Sequence, residues 1–300
     1  PYSLGFRKAL KLTNGNQTSG AGTNDNIQIQ QRFESQDIAN SGWNYTSSTS
    51  YITLQFWVKS SVAQNFYVYF RTQDGTQQIY TFETGSLSAD TWTKIIKTIP
   101  GNSNLQFDNN TENGMEMNIA PFWGTAFTDS SVSLNAWGAY ASATRTPDYT
   151  STWYTTNDAT WNITGLQLEV GPQATAFEHR SFAEELQLCK RYYQQYVNPV
   201  INGIVSSTAN RTENHAFILP VEMRAAPTVS ISNTGNNNGQ RIYDGSATKY
   251  ITSLLSSGKT TTNLSISFNL SGDLTNQRPA LAIGPVNTDD QTTFKIEAEI

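Results

Sequence analysis

The chain has 300 residues, with 24 acidic against 19 basic side chains and a formal net charge of −5. That balance argues against a bulk nucleic-acid binder, whose affinity comes from clustered cations neutralising phosphates. Charged residues are only 14 % and Ser, Thr and Asn fill about a third of the chain, yet aromatics reach 12 %, enough rings to pack a core where a polar chain would otherwise stay disordered.

The first half reads as short strands separated by turn chemistry. Residues 26–33 (NIQIQQRF), 51–59 (YITLQFWVK), 66–71 (FYVYFR), 77–84 (QQIYTFET), 92–99 (WTKIIKTI) and 161–169 (WNITGLQLE) are the expected strands. Alternation is clearest at 51–59, where Ile52, Leu54, Phe56 and Val58 point one way and Thr53, Gln55, Trp57 and Lys59 the other. Phe66, Val68 and Phe70 likewise alternate with Tyr67, Tyr69 and Arg71. Asp74-Gly75, Pro100-Gly101 and Asn113-Gly114 read as breakers between strands. About eight strands at this spacing predict a jelly-roll β-sandwich over 1–175.

The period then changes to 3.6. Residues 182–197 place Phe182, Leu186, Cys189, Tyr193 and Tyr196/Val197 on one stripe, which predicts a helix. Ser181 and Glu184 have the spacing of a capping box, and Pro199 would stop the helix. The segment 176–198 is therefore expected to be a connecting helix, rich in charge through Glu178, Arg180, Glu184, Glu185, Lys190 and Arg191. From 199 to 300 the strand rhythm returns in VINGIVSS, HAFILPVEM, PTVSIS, KYITSLL, NLSISFNL, PALAIG and TFKIEAEI, a smaller all-β domain. A polar loop is expected at 233–239. The fold class is thus all-β.

No apolar run approaches the ~18 residues of a membrane-spanning helix. The opening PYSLGFRKALKL lacks the apolar stretch of a signal peptide, so none is expected within it. One cysteine excludes a disulfide framework, and two histidines leave little for a zinc site. Robustness outside a cell would have to come from oligomerisation and sheet pairing. Cys189, between Leu186 and Tyr193 on the helical stripe, reads as a buried structural thiol. His179, between Glu178 and Arg180, reads as a solvated or capping residue. Gly20-Ala21-Gly22 begins like a dinucleotide fingerprint but lacks the third glycine and the helix. Glu178, Glu184 and Glu185, or the Asp289-Asp290 turn, offer no clear carboxylate pair for glycoside hydrolysis, so catalytic residues are expected to be none. The triplets at Asn16, Asn44 and Asn162 arise by composition in so Asn- and Thr-rich a chain.

What stands out is a set of rings among small polar residues. Trp57, Tyr67 and Tyr69 occupy the face opposite the core stripe, with Arg71. Trp137, Tyr140, Tyr149, Trp153 and Tyr154 fall among Ser, Thr, Pro and Ala in 137–154. Rings with polar tips suit the C–H faces of sugars, while neighbouring amides and hydroxyls suit sugar hydroxyls. The nine residues are therefore the candidate glycan-binding set. The same rings could instead cover sheet edges or a subunit interface.

The run from Trp161 to Gln195 resembles a recurring segment of bacteriophage tail-fibre and related virion proteins. A strand of the form ITG-x-QLE-x-G (Ile163 to Gly171) is followed by AT-x-FE-x-R (Ala174 to Arg180) and EEL-x-LC-x-RYY (Glu184 to Tyr193). LPVEMRAAPTVS, Leu219 to Ser230, resembles a downstream segment of the same proteins. The N-terminal half is more loosely similar to their carbohydrate-binding-module-like jelly roll.

The resemblance implies a non-enzymatic virion appendage, extracellular when it acts, that touches host surface polysaccharide as a homotrimer. It implies other tail proteins as partners, and neither nucleic acid nor membrane insertion. Leu186, Cys189 and Tyr193 would then be oligomer-interface residues, and Glu178 and Arg180 could pair across subunits. No cofactor is expected; a structural calcium is common in such jelly rolls, but no ligand set is legible, and the metal stays unassigned. The alternatives are a structural virion protein, decorating a capsid or connecting a tail, and a polysaccharide depolymerase.

Overall fold

A computed structural model describes residues 2–16, 20–208, 210–232, 239–284 and 291–299. The expected loop at 233–239, save Gly239, and the Asp289-Asp290 turn lie outside the described residues. The chain is all-β apart from three short α-helices and one 3-10 turn among the described residues. It divides into two compact units, Pro1–His179 and Arg180–Glu299.

The first unit contains, in order, β1 (Leu10–Thr13), β2 (Asn26–Glu34), α1 (Ser35–Ala39), β3 (Tyr51–Ser60), β4 (Tyr67–Thr72), β5 (Gln78–Glu83), β6 (Thr93–Pro100), β7 (Asn113–Trp123), β8 (Trp137–Ala139), α2 (Thr152–Thr155) and β9 (Thr160–Val170). They form two antiparallel sheets, β1-β9-β3-β6 and β2-β7-β4-β5-β8. The chain crosses repeatedly from one sheet to the other, as in a jelly roll. The core lies between them. Ile52, Leu54, Phe56 and Val58 of β3 share it with Val68 and Phe70 of β4 and with Met115, Met117 and Ile119 of β7. Each such large side chain stabilises the sandwich by roughly 1.5–3 kcal/mol.

Asn113-Gly114 is not a turn, contrary to the sequence expectation. It opens the longest strand of the five-stranded sheet. The glycine serves close packing: a Cβ at Gly114 would stand 2.5 Å from the Cα of Ser35. Gly165 has a different purpose. Opposite Phe56 of β3, strand β9 spends two residues, Gly165 and Leu166, in a bulge. Gly165 takes φ +62°, and a Cβ there would meet the Phe6 ring at 2.5 Å.

Beyond the bulge, β9 fastens the link that follows it. Glu169 accepts hydrogen bonds from Thr175 N (2.9 Å) and Thr175 Oγ1 (2.6 Å), and Gln167 Oε1 accepts from Glu178 N (2.8 Å). Burial works to raise the Glu169 carboxyl, but the bonds from Thr175, Gln167 and Gln55 outweigh it and hold it below the usual range. The ITG-x-QLE…AT pattern is therefore a bulge followed by a latch.

The second unit starts with α3 (Phe182–Lys190), followed by β10 (Tyr193–Val197), β11 (Ile201–Val205), β12 (Arg211–Ile218), β13 (Thr228–Ile231), β14 (Arg241–Tyr243), β15 (Thr248–Lys259), β16 (Asn263–Leu270), β17 (Pro279–Ile283) and β18 (Thr293–Glu297). The order β11-β12-β16-β15-β14-β17 closes into a barrel, and β10-β18-β13 form a separate sheet. Phe268, Ile266, Ile242 and Ala282 lie in its core.

The capping box is present in both directions: Ser181 N donates to Glu184 Oε2 (2.8 Å) and Glu184 N to Ser181 Oγ (3.3 Å). The helix, however, ends at Lys190, well short of the expected 197. Tyr193–Val197 pairs with β18 instead, from Tyr193 opposite Glu297 to Val197 opposite Thr293. The ring and β-branched residues that continued the helical stripe favour a pleated, half-buried strand once a partner is beside them. Nor is Cys189 buried: no residue of α3 is buried within the chain, and the thiol is exposed.

Candidate functional site

The outward face of the five-stranded sheet gathers the polar chemistry of the first unit. On β4, Tyr67, Tyr69 and Arg71 point away from the core, one position out of step with Val68 and Phe70. In register on β7 stand Ala120, Asn118 and Glu116. Beyond them on β2 are Gln30 opposite Asn118 and Arg32 opposite Glu116. On the other side, β5 presents Thr81 opposite Tyr69 and Ile79 opposite Arg71.

The stretch 124–149 folds over this face and is held by main-chain contacts. Asn135 N donates to Thr81 O (2.8 Å), Tyr140 N to Gln77 O (3.0 Å) and Arg145 N to Phe127 O (3.0 Å). It brings Tyr140 under the Arg71 guanidinium, 3.9 Å from the ring centroid. Arg145 lies 4.6 Å from the Trp123 ring, 4.9 Å from Phe127 and 6.0 Å from Tyr140. Tyr149 meets Tyr67 edge-on at 4.9 Å and donates its hydroxyl to Ala120 O (2.9 Å). Beside β5 and β8 an open hollow of about 370 Å³ is lined by Ile79, Thr81, Val132, Trp137 and Gly138, among others.

Charge on this face is unevenly paired. Glu116 sits 3.7 Å from both Arg32 and Arg71 and accepts from Asn113 Nδ2 at 3.0 Å. Arg71 Nη2 donates to Gln77 Oε1 at 2.8 Å. Among the described residues no carboxylate lies within ion-pair distance of Arg145. Burial pushes the Tyr69 phenol well up, and the neighbouring Arg145 opposes that shift only in part. Asn118 is fully buried; its Oδ1 accepts from Gln30 Nε2 (3.0 Å), while its Nδ2 finds no protein partner. Glu83 and Asp148 bear on Tyr67, at the other end of the face.

Five of the nine sequence candidates therefore meet on one surface: Tyr67, Tyr69, Arg71, Tyr140 and Tyr149. Tyr69 is almost wholly buried there, at 3 % exposure, so it is a floor to the surface rather than a ring open to solvent. Trp57 lies on the outer face of the other sheet, between Lys94 of β6 and Thr164 of β9. Trp153 and Tyr154 are corrected outright: both belong to the core. Trp153 meets Phe66 edge-on and donates Nε1–H to Thr160 O (3.0 Å), while Tyr154 stacks on Phe122 at 4.2 Å. Trp137 packs beside Tyr80 and donates to Pro100 O (2.7 Å). Its neighbours are core residues, because Trp137 pairs with inward-facing Tyr80 across β5 and β8.

Sequence reasoning missed Gln30, Arg32, Gln77, Glu116, Asn118, Trp123 and Arg145. The signal for two of them was present: Met115, Met117 and Ile119 alternate with Glu116, Asn118 and Ala120 as a strand should. Reading Asn113-Gly114 as a breaker hid it. Among the described residues, no group of three or more His, Cys, Asp or Glu side chains is gathered as a metal site, and no helix is long and apolar enough to cross a membrane. No protein-family model matches the chain, and no curated protein matches it.

Proposed function

We propose that the chain is a glycan-recognising adhesin, the receptor-binding part of a bacteriophage tail fibre, acting without catalysis and in several copies. The observation that carries this reading is the outer sheet face on which Arg71 lies 3.9 Å over the Tyr140 ring beside Asn118, Gln77 and Glu116. A ring next to amides and guanidiniums offers a stacking surface and donors together, the pairing that a sugar's C–H face and hydroxyls require. A single shallow sugar site is worth about −4 kcal/mol, and several copies engaging together raise avidity by roughly 10²–10⁴.

Helix α3 supports the multi-copy part. Phe182, Leu186 and Leu188 are exposed at 81 %, 38 % and 52 %, and a nine-residue helix is marginal unless an apolar face is covered. Three copies around an axis would cover it, with Leu186, Cys189 and Tyr193 at the contact. Arg180 has an in-chain partner in Glu185 at 3.3 Å, so it does not depend on a partner subunit for its charge.

The reading is tested by screening the purified chain on an array of host-surface glycans, with Tyr140→Ala and Arg71→Ala alongside and folding checked by circular dichroism. Binding by the native chain, lost in both folded variants, is the expected result. Absence of binding to every glycan, or binding untouched by either change, overturns it. The alternative of a structural virion component is favoured by one observation: residues of the phage-like motifs that the fold uses, such as Gly165, Glu169 and Thr175, hold the scaffold at β9, a strand of the sheet opposite the candidate face. A depolymerase is less well supported, since Glu116 lies between two guanidiniums where hydrolysis would require a carboxylate pair across a sugar.

A further inference from the structure

Most of the atoms left without protein partners on the outer sheet face are donors. Asn118 Nδ2, Trp123 Nε1, Arg71 Nε and Arg145 Nε are buried, unpartnered nitrogens that donate, against one amide oxygen, Asn113 Oδ1, and one hydroxyl, Thr146 Oγ1. A ligand that satisfies them has to bring acceptors. The charge points the same way. Arg32, Arg71 and Arg145 stand on this face; Glu116 lies between the first two, and among the described residues no carboxylate is within ion-pair distance of Arg145. Glu83 and Asp148 stand at the Tyr67 end, where Glu83 accepts from Asn65 Nδ2 (2.8 Å) and Asp148 from Thr128 Oγ1 (2.6 Å).

The posture of the two central guanidiniums matters as much as their number. Arg71 and Arg145 border the same tyrosine ring, 3.9 and 6.0 Å from the Tyr140 centroid, and Arg145 also covers Trp123 and Phe127. An arginine lying on rings spends its flat faces on them and keeps its in-plane N–H groups for an oxyanion. Glu116 already occupies one side of Arg71; Arg145 has the neutral Tyr69 phenol beside it and, among the described residues, no carboxylate within ion-pair distance. Two cations near one ring also repel each other, and a bound anion relieves that repulsion.

We propose that the ligand of this face is an acidic saccharide, whose carboxylate docks on Arg145 with Arg71 beside it while the sugar ring lies against Tyr140. This rests on the glycan reading above and adds the charge class of the sugar. A carboxylate is favoured over a sulfate because its planar two-oxygen edge matches the guanidinium fork.

The test uses the whole chain and matched ligands. Calorimetric titrations compare a uronic-acid trisaccharide and a sialylated trisaccharide, each against its own methyl ester, which removes the charge and little else. A sulfated trisaccharide and a panel of neutral oligosaccharides complete the set. The expected result is at least about tenfold tighter binding of an acid than of its ester, the order of one charge-assisted hydrogen bond. That preference should shrink as salt is raised, because partly exposed charges are screened. Arg145→Gln should bring the acid down to the level of the ester, and Arg145→Lys should retain part of the preference. If Arg145→Gln does not fold, the native acid–ester comparison and its salt dependence still decide. Equal binding of acids and esters, or neutral oligosaccharides bound as tightly, overturns the acidic-ligand proposal and leaves the glycan reading standing. A sulfated sugar bound more tightly than either acid overturns the carboxylate assignment. No binding by any saccharide overturns both.

Discussion

The backbone N–H of Arg224 donates to the carbonyl of Arg191 at 2.9 Å. One residue belongs to the MRAAP segment and the other to the RYY segment. The clasp continues through the side chain: Arg224 Nε donates to Ala298 O (2.9 Å) and Nη2 to Glu299 O (3.0 Å). Gln194 adds to it by donating to Lys190 O and Val221 O, both at 3.0 Å. Segments distant in sequence thus hold the same corner of the unit.

Replacing Arg224 with Ala leaves those terminal carbonyls without their charged donor. The expected loss is about 1.5–3 kcal/mol, the usual worth of hydrogen bonds to a charged group. Urea denaturation should show a lower midpoint with an unchanged slope, and Arg224→Lys should recover part of it. An unaltered midpoint for Arg224→Ala would rule out the clasp as a source of stability.

His215 makes the second unit acid-sensitive. It is fully buried against Phe268, 5.0 Å between ring centroids, with neither ring nitrogen hydrogen-bonded in good geometry. Burial lowers its pKa from 6.5 to about 4, and the nearby Ile201 backbone offsets this only in part. The unfolded chain therefore takes up a proton between pH 6.5 and 4 that the folded chain refuses. Stability from this group is complete above pH 6.5 and falls as the pH drops toward 4, by up to roughly 3 kcal/mol. Melting curves from pH 4 to 7 should show that slope, and His215→Leu should flatten it; an equal slope in the variant would refute the assignment.

Two glycines of the same sheet, one on the inner strand β7 and one on the edge strand β8, should respond differently to one added methyl. Gly114→Ala drives a Cβ to 2.5 Å from the Ser35 backbone, whereas the space around Gly138 is open. The first should cost about 1–3 kcal/mol through overpacking. The second should stay within about 0.5 kcal/mol of the native chain. Chemical denaturation of the two variants checks both.

The aromatic candidates should separate into fold and surface. Trp153→Ala empties a fully buried site and should cost about 3–5 kcal/mol, visible as a lower melting temperature. Trp57→Ala, on the far sheet, should leave glycan binding intact. Tyr140→Ala should abolish binding with little change in melting temperature. A glycan signal lost through Trp57 and retained without Tyr140 would move the site to the other sheet.

Association of copies can be read from light scattering together with the exposed Cys189 thiol. If α3 is the contact, labelling of Cys189 should slow at protein concentrations where scattering reports an oligomer. Rapid labelling of a proven oligomer would place the contact elsewhere.

The alternating strands were legible because a sheet with one buried face imposes period two, as in β3 and β4. The start of α3 was legible because a capping box is local chemistry; its end was not, because pairing of Tyr193–Val197 with β18 depends on residues a hundred positions away. The outer face was half legible for a similar reason. Tyr67 and Arg71 announce themselves by alternation, whereas Arg145 reaches the same surface only because the 124–149 stretch folds back over it. Trp153 and Tyr154 misled because a ring among small polar residues looks exposed when read alone, and α2 turns both inward.

That stretch is pinned by main-chain bonds to Thr81 and Gln77 and by two side chains, Trp137 on Pro100 O and Tyr149 on Ala120 O. Between those anchors its chemistry can be rewritten while the sandwich beneath keeps its register. Variation among descendants of this scaffold should concentrate there, giving new preferences on an old frame.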